Sequence, residues 1–355
     1  MIRYFLLGAL ILLSCKKDLA QGKSVNHMKG PAINLGAYYF DGWTEGSHHI
    51  TPLLKNGFPE REPIWGWVTS TPDIMKKQID AAADAGIQFF SFDWYYREGL
   101  SNIPLNNALS LYLDAPNKQR LKFCLMVANH KPYLTTPQSW KTLTGQWIKL
   151  FKDPTYLKVN EKPLLIFFSV SSLVTEFGDA AAVHKALDSL RHVAVAEGLK
   201  GGTMAVCVGP SEVRDAEACG FDILTGYNYH VVGFTPGQAE NPIQQMLAGD
   251  RSIWEKISGT TSLPYIPVAT LNWDPRPWRK TDEVVQRFTG YSQQSVYNDI
   301  TALQEWIAQH PGQTPKERIA LLYAWNENGE GGWLTPSKIL GDSLLQGIRK
   351  AIIKK

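Results

Sequence analysis

Two carboxylates three residues apart are the feature of this sequence best suited to chemistry. Glu327 and Glu330 follow an apolar run near the C-terminus, in the stretch Trp-Asn-Glu-Asn-Gly-Glu-Gly-Gly-Trp. Cleavage of a glycosidic bond usually needs such a pair, with one carboxyl protonating the leaving oxygen and the other attacking or stabilising the sugar centre. Mutual repulsion and partial burial would keep one of the two protonated near neutral pH. The spacing therefore indicates glycosidic-bond chemistry, and the alternative is a capped loop in which Glu327 bonds backbone N–H groups and Glu330 is solvated.

The tryptophans form a second signal, because many of the 12 lie beside Pro, Gly or Asn and outside periodic core segments. Trp43, Trp65 and Trp67 follow the first apolar run, whereas Trp273 and Trp278 flank an Asp-Pro-Arg-Pro segment. An indole face packs against the C–H face of a pyranose and contributes a large buried area. Any single Trp could instead pack beneath a loop. We expect Trp43 or Trp273 to contact a sugar substrate, since each lies just past a predicted strand.

The elements that must position these residues are strand-like and helix-like segments that alternate along the chain. Apolar runs predict strands at 33–41, 87–94, 121–128, 163–170, 203–209, 222–228, 265–273 and 319–327. Most are continuous rather than alternating, as expected for strands covered on both faces. Helical periodicity falls between them, and Leu340, Leu344, Ile348 and Ile352 predict a last helix. Eight strands and about eight helices predict a single catalytic domain of the α/β class, a (β/α)8 TIM barrel.

In such barrels the active site lies at the C-terminal ends of the strands. Polar and aromatic residues concentrate at these ends of the predicted strands. The candidate substrate-binding residues are Tyr39, Asp41, Trp43, Asp93, Trp94, Asn129, His130, Tyr227, Tyr229, His230, Asn272, Trp273, Trp325 and Asn326. Asp93 could bond a sugar hydroxyl or orient a carboxylate, with a turn cap as the alternative. Tyr227 could bond a substrate oxygen or tune a carboxylate.

The N-terminus has the pattern of an exported lipoprotein. One Arg precedes an apolar run from Tyr4 to Leu13, which is too short to span a bilayer as a helix. The run ends in Leu-Leu-Ser-Cys, which resembles a bacterial lipobox and implies cleavage before Cys15 and acylation there. We therefore expect a signal peptide at 1–14, a lipidated tether at 15–30 and the barrel at 31–355, on either face of an outer membrane. An ordinary signal with an incidental Cys is the alternative.

Several function classes are disfavoured by composition. The chain has 36 Lys and Arg against 33 Asp and Glu, which is too balanced to indicate a nucleic-acid partner. Cys124, Cys207 and Cys219 are odd in number and lack metal-ligand spacing, so neither a disulfide framework nor a zinc site is predicted. The adjacent His48 and His49 do not have the spacing of a metal-binding helix. We expect no metal, no cofactor and a monomer.

Several segments resemble glycoside hydrolase family 99 and its WbsX-like relatives. They are 35–43, the helix and strand leading to 85–96, the segment 158–166, and the ending Ala-Trp-Asn-Glu at 324–327. The pattern Trp-Asn-Glu-x-x-Glu-Gly is the most specific of them, and the resemblance covers roughly residues 33 to 353. This chain has Asn328-Gly329 between the two glutamates, where family members often have an aromatic residue followed by His or a similar residue.

The resemblance implies a barrel that acts on a glycan without a metal. Family 99 enzymes are endo-acting α-mannosidases and α-mannanases that retain anomeric configuration. In the family's proposed mechanism, one glutamate deprotonates the sugar 2-hydroxyl, which attacks C1 to give a 1,2-anhydro sugar. The other glutamate acts first as acid and then as base. Matched by position, Glu327 takes the 2-hydroxyl role and Glu330 the acid/base role.

The leading hypothesis from sequence is therefore a retaining glycoside hydrolase that acts on a polysaccharide or oligosaccharide, of an endo-α-mannosidase or α-mannanase type. One alternative is a glycosyltransferase of polysaccharide assembly, a label often given to WbsX-like relatives. The export pattern argues against it, because nucleotide-sugar donors are cytoplasmic. The other alternative is a non-catalytic surface lipoprotein that binds glycans, against which the two glutamates argue.

Overall fold

Eight parallel strands form the centre of the structure. The computed structural model describes residues 32–279 and 284–352, and the predicted signal peptide, tether and Cys15 lie outside these residues. Strands 1 to 8 of the barrel are Asn34–Tyr39, Phe89–Trp94, Lys122–Val127, Lys162–Phe167, Thr203–Cys207, Ile223–Thr225, Val268–Thr270 and Ile319–Tyr323. Strands 1 to 6 pair in sequence order, and strand 8 lies between strands 1 and 7.

The gap between strands 6 and 7 is closed by a shorter contact. Leu224 and Tyr265 form an isolated parallel bridge. The Leu224 amide donates to the carbonyl oxygen of Pro264, and the Ile266 amide donates to that of Leu224, both at 2.9 Å. The result is a nearly closed (β/α)8 barrel, which confirms the predicted fold class.

The continuous apolar runs reflect burial on both faces of the strands. Every residue from Ile319 to Tyr323 in strand 8 is fully buried. Phe89 and Phe90, neighbours in strand 2, point to opposite faces and are both inaccessible to solvent. Helices therefore cover the outer face of the barrel while side chains fill its interior. A strand that alternated polar and apolar residues would bury polar side chains on one of these faces, which is unfavourable.

Ten α-helices lie in the described part of the chain. They are Pro52–Gly57, Pro72–Ala85, Asn107–Asp114, Trp140–Phe151, Val170–Phe177, Ala180–Ala196, Val213–Ala218, Ile243–Ser258, Gln293–Gln309 and Ser343–Ile352. Pro72 occupies the first turn of its helix, where its missing N–H costs nothing. Met75, Ile79 and Ala82 recur on the face that packs against the barrel. The predicted last helix begins at Ser343, so Leu340 lies before it and is partly exposed.

Seven of the eight strands end earlier than predicted, whereas strand 2 ends at Trp94 as expected. The run predicted at 319–327 is a barrel strand only to Tyr323, and Asn326–Glu327 instead pairs in antiparallel fashion with Gly332–Trp333. The physical reason is that residues at the barrel mouth pair with side chains and loops rather than with neighbouring strands. Asn326, for example, uses its side-chain amide to bond both the amide and the carbonyl of Phe40.

Smaller elements complete the structure. Lys158–Val159 pairs with strand 4, and Glu240–Pro242 pairs in parallel with Arg287–Thr289. Short 3-10 turns lie at Pro59–Arg61, Pro104–Asn106, Lys118–Arg120, Pro210–Glu212, His230–Gly233 and Arg276–Trp278. None of the helices within 32–279 and 284–352 has the length and apolar character needed to cross a membrane.

Candidate active site

A tight turn after strand 8 brings Glu327 and Glu330 to the same cavity at the mouth of the barrel. The amides of Glu330 and Gly331 both donate to the carbonyl oxygen of Glu327, at 3.1 and 2.9 Å. Gly331 has a φ of +85°, and a Cβ there would lie 2.9 Å from the Asp274 amide nitrogen. A larger residue at this position would therefore be strained and would push the turn away from its neighbours.

The turn is held from outside by the loops that follow strands 1 and 7. The Asn272 side chain donates to the Gly331 carbonyl at 2.8 Å, and the Asp274 amide donates to the Glu330 carbonyl at 2.6 Å. Arg61 donates to the carbonyl of Asn328, between the two glutamates, at 3.1 Å. The Arg61 guanidinium is only 2% exposed and pairs with the Asp274 carboxylate at 2.5 Å. Two loops thus fix the backbone that carries both carboxyls.

Glu327 is hydrogen-bonded to Tyr227, which lies just after strand 6. Its Oε1 lies 2.8 Å from the Tyr227 hydroxyl, which lies 2.8 Å from Asp93 Oδ2 at the end of strand 2. Burial raises the pKa of Glu327 well above its usual range, and the neighbouring acids Glu330 and Asp93 raise it further. Burial likewise raises the pKa of Asp93, with a contribution from Glu330.

Glu330 has a separate phenolic partner, since the hydroxyl of Tyr323 in strand 8 donates to Glu330 Oε2. Burial raises the pKa of Glu330, while this hydrogen bond and the positive charge of Arg279 partly offset that rise. Two mutually repelling carboxyls in a water-poor site retain a proton near neutral pH. The arrangement can therefore supply an acid and a base side by side.

The cavity that contains the glutamates has a volume of about 420 Å³. Its wall is largely aromatic and also carries three histidines. The lining residues are Phe40, His48, His49, Asp93, Tyr95, Met126, Ala128, His130, Phe168, Tyr227, Trp278, Glu327 and Glu330. Burial and the neighbouring His48 lower the pKa of His49 to about 4, so that this ring is neutral at physiological pH. A wall of rings around a few polar groups is typical of a small-ligand site.

Trp278 forms the part of this wall nearest the glutamate turn. A Cβ on Gly329 would lie 1.8 Å from an indole carbon of Trp278, so the ring packs directly on the glycine. His49 packs edge-on against the same indole, with ring centroids 5.4 Å apart. The Asn-Gly pair between the two glutamates therefore leaves space for an aromatic wall that a larger residue would displace.

Of the residues singled out from sequence, Asp93, His130 and Tyr227 line the cavity together with the two glutamates. Trp43 does not, because it is 1% exposed and its indole donates to the Asn326 carbonyl at 2.9 Å. The structure thus assigns Trp43 to packing beneath the mouth, which corrects the expectation of direct sugar contact.

Other candidates brace the barrel instead of facing the cavity. Tyr39 and Trp325 both donate hydrogen bonds to the side-chain oxygen of Gln78, on the outer helix Pro72–Ala85. Asn129 joins strands 3 and 4 through two hydrogen bonds with the Ser169 backbone. Their polar groups are satisfied by hydrogen bonds within the protein.

Two further candidates anchor loops or pack on other rings. Asp41 accepts hydrogen bonds from the Ser70 hydroxyl and the Ala108 amide. Trp94 is buried and packs edge-on against the ring of Trp147.

Residues following strands 6 and 7 also pack on one another. His230 and Trp273 form a parallel stack with ring centroids 3.6 Å apart, and neither lines the glutamate cavity. The Tyr229 hydroxyl lies 3.0 Å from that of Tyr265 in the buried interior. Trp273 therefore has a stacking partner on one face, and its contact with a sugar stays a prediction.

Several site residues could not be identified from the sequence. Tyr323 lies within an apolar strand run, so it reads as a core residue. Its position four residues before Glu327 was the available sign that it could belong to the site. Trp278 was noted among the tryptophans but not placed in the site. Arg61 lies in a Pro-Glu-Arg-Glu-Pro segment without periodicity, so no local pattern connects it to Asp274, 213 residues away.

The cavity's histidines do not form a metal centre with the acids around them. No group of three or more His, Cys, Asp or Glu side chains in the described ranges has the arrangement needed to hold a metal ion. His48 and His49 instead pack on each other, with ring centroids 4.0 Å apart.

Comparison with known proteins identifies related sequences. A family model described as "Glycosyltransferase WbsX" matches residues 67–348. An uncharacterised protein, WxcX, from Xanthomonas campestris pv. campestris strain B100 is 23% identical over 316 residues, covering 80% of this chain and 42% of that protein. The chain thus spans about two fifths of the length of the curated relatives it matches.

Solved structures share the same fold. The glycoside hydrolase family 99 endo-α-mannosidase from Bacteroides thetaiotaomicron superposes with a TM-score of 0.63 at 18% identity, covering 90% of this chain and 95% of that one. A protein described as glycoside hydrolase-like superposes with a TM-score of 0.68 at 14% identity, covering 91% and 95% of the two chains. At these identities the similarity establishes a common barrel architecture.

Proposed function

Because the chain belongs to the WbsX family and shares its fold with a family 99 endo-α-mannosidase, we propose that it is a retaining glycoside hydrolase acting on oligosaccharides or polysaccharides. The observation that carries the proposal is the placement of Glu327 and Glu330 on one clamped turn in one buried, aromatic-walled cavity. Each carboxyl is hydrogen-bonded to a different phenol, and their surroundings differ because Tyr227 also contacts the acid Asp93, whereas Arg279 acts on Glu330.

In the proposed reaction, Glu330 acts as the acid. It gives its proton to the glycosidic oxygen while Glu327 removes the proton of the sugar 2-hydroxyl. The 2-oxygen then attacks C1 and the bond from C1 to the leaving oxygen breaks, which gives a 1,2-anhydro sugar. Ionised Glu330 next takes a proton from water as that water attacks C1, and protonated Glu327 returns its proton to O2. Two inversions at C1 retain the configuration.

This mechanism restricts the substrate by geometry. Backside attack requires O2 to lie opposite the leaving oxygen, so the reacting sugar must have 1,2-trans substituents. α-Mannosides belong to this class and are also the substrates named for the structurally similar family 99 enzyme. We therefore propose α-mannose-containing glycans as the first substrates to examine, with endo action as in that enzyme.

The test is hydrolysis by the purified protein without any sugar donor. A panel of 1,2-trans glycans, α-mannosides among them, should release products whose first-formed anomer is the retained one by NMR. Matched 1,2-cis glycans serve as the control and should not be cleaved. Release of the inverted anomer, or cleavage of both sets alike, would contradict the mechanism.

A sugar transferase is the second candidate, and the description of the matched family favours it. The same purified protein separates the two candidates, because a transferase needs an activated donor and elongates an acceptor. Growth of the acceptor only when donor is added, with no hydrolysis in its absence, would replace our proposal with this one. Glycan binding without turnover in either assay would indicate a binding protein instead.

A further inference from the structure

The hydroxyl of Tyr227 is shared by two carboxyl groups, and this fixes a minimum number of protons. The phenol oxygen lies 2.8 Å from Asp93 Oδ2 and 2.8 Å from Glu327 Oε1. Two hydrogen bonds require two hydrogens, whereas a phenol carries one. An ionised carboxylate can only accept, so the second hydrogen must belong to Asp93 or to Glu327. Burial and the adjacent acids raise the pKa of Tyr227 well above its ordinary value, so the phenol keeps its own proton.

Asp93 is poorly equipped to hold a negative charge. Asp93 is 4% exposed, and its Oδ1 is buried without a hydrogen-bond partner among the described residues. Its Oδ2 has Tyr227 as its partner. A buried, half-satisfied carboxylate without a counter-ion is unfavourable, whereas the neutral acid avoids most of that desolvation cost.

The groups that surround Asp93 do not compensate for a charge. Among the described residues, those recorded as interacting with it electrostatically are Tyr95, Cys207, Tyr227, Tyr323, Glu327 and Glu330. All of them are neutral or acidic. Arg279, a cation within the described residues, acts on Glu330 and lowers its pKa. His130 lines the same cavity.

We propose that Asp93 is a neutral acid that donates its hydrogen to Tyr227, so that Tyr227 donates to Glu327 and holds it as an ionised base. The part that concerns Glu327 rests on the proposed function, but the protonation of Asp93 does not. Asp93 is then a positioning residue that sets the direction of two hydrogen bonds. With the second hydrogen on Glu327 instead, that carboxyl could not accept the proton of a sugar 2-hydroxyl.

Infrared spectroscopy of the purified protein tests the protonation without any reference to turnover. Near neutral pH, the wild-type spectrum should contain a carboxylic-acid C=O band that Asp93→Asn lacks and Glu327→Gln retains. Asp299→Asn is a matched control that removes a different buried acid and leaves this band in place. Loss of ionised-carboxylate intensity in Asp93→Asn, or loss of the acid band in Glu327→Gln instead, would overturn the proposal.

A second variant keeps the test decisive if Asp93→Asn does not fold. In Tyr227→Phe the hydrogen of Asp93 loses its acceptor, so the acid band should move to the higher frequency of a carboxyl with a weaker hydrogen bond. An acid band that is unchanged by this replacement would show that the hydrogen does not lie between Asp93 and Tyr227.

Kinetics on any substrate that the protein cleaves test the positioning role. An Asn amide can donate to the Tyr227 oxygen as the neutral acid does, so Asp93→Asn should keep kcat within a few-fold and retain the acid limb of the pH profile. Asp93→Leu has similar bulk and no donor, and it should lose about 10²-fold or more in kcat with little change in KM. Equal loss in both variants would contradict the role. A protein that shows the infrared result but cleaves nothing would refute the hydrolase proposal alone.

Discussion

The amide of Asp274 donates a 2.6 Å hydrogen bond to the carbonyl oxygen of Glu330. The loop after strand 7 thereby holds the turn that carries both candidate catalytic carboxyls, and the Asp274 side chain ties the same turn to the buried Arg61. The turn is therefore positioned by contacts far away in sequence, and disturbing them should change the active site without altering either glutamate.

Replacing Arg61 with Met should weaken both folding and turnover. Asp274 would keep Arg276 as a partner, so we expect a loss of up to about 3 kcal/mol in the free energy of unfolding, at the lower end for breaking a buried ion pair. Turnover should fall as well, because the Asn328 carbonyl loses its donor. Lys200→Ala, which removes an exposed pair with Glu161, is the control and should leave the urea midpoint unchanged. An Arg61→Met protein with wild-type stability and activity would show that the clamp is dispensable.

Asp299 should make the protein less stable as pH rises. Burial and the negative charge of Asp250 raise the pKa of Asp299 well above its ordinary 3.8. The native state therefore keeps this proton to a higher pH than the unfolded chain does. The stability that the protonated Asp299 contributes is fully present below the pKa of the unfolded chain, and it is lost as pH rises through the raised pKa of the native state. Asp299→Asn should equal the wild type in acid and become more stable than it in alkali, as measured by urea denaturation across pH.

Asp342 provides a control of opposite sign for this experiment. Its hydrogen bond from Arg349 lowers the pKa of Asp342, so the stability that it contributes is present above the ordinary pKa and lost in acid. Asp342→Asn should therefore be less stable than the wild type at neutral pH. A pH-independent difference between Asp299→Asn and the wild type would contradict the burial of an acid there.

Two tryptophans should give opposite results on replacement. Trp278 lines the cavity, so Trp278→Ala should weaken glycan binding by roughly 1–3 kcal/mol, judged from the burial of a large side chain. Trp43 is fully buried, so Trp43→Ala should lower the free energy of unfolding by about 3–5 kcal/mol while the folded fraction binds glycan normally. Calorimetric titration with glycan, paired with denaturation, separates the two. Normal binding by Trp278→Ala would remove this ring from the substrate site.

Export and lipidation are a separate proposal that rests on the N-terminal sequence alone. If Cys15 is acylated, Cys15→Ala should move the protein from the membrane fraction to the soluble fraction. Cys124→Ala is a matched control, because this buried thiol lies in strand 3 and its replacement should leave the distribution unchanged. Membrane association that survives in Cys15→Ala would argue against the lipid anchor.

The barrel could be predicted from sequence because continuous apolar runs report burial directly. The rule that barrel sites lie at C-terminal strand ends then identified Asp93, Tyr227 and Glu327 correctly as neighbours in space. Composition at a strand end does not, however, show which way a side chain points. Trp325 bonds a helix outside the barrel, whereas Glu327, two residues later, lies in the cavity.

Long-range contacts were beyond what local patterns can indicate. Trp43 and Trp278 look alike in sequence, since both follow predicted strands next to turn residues. Their difference arises because Trp43 bonds the backbone of Asn326 below the mouth, and Trp278 rests on Gly329 above it. Neither contact is encoded by a periodicity, because each depends on how a loop meets the turn after strand 8.

The most direct measurement of the central claim compares Glu327→Gln and Glu330→Gln on glycosides with good and poor leaving groups. Both variants should fold and bind glycan, and each should lose about 10²–10⁴-fold in kcat on an ordinary glycoside, the usual cost of removing a positioned acid or base. Glu330→Gln should recover much of its rate on a substrate with a very acidic leaving group, which needs little protonation, whereas Glu327→Gln should not. Near-wild-type turnover by both variants on a substrate that the parent protein cleaves would show that these carboxyls are structural.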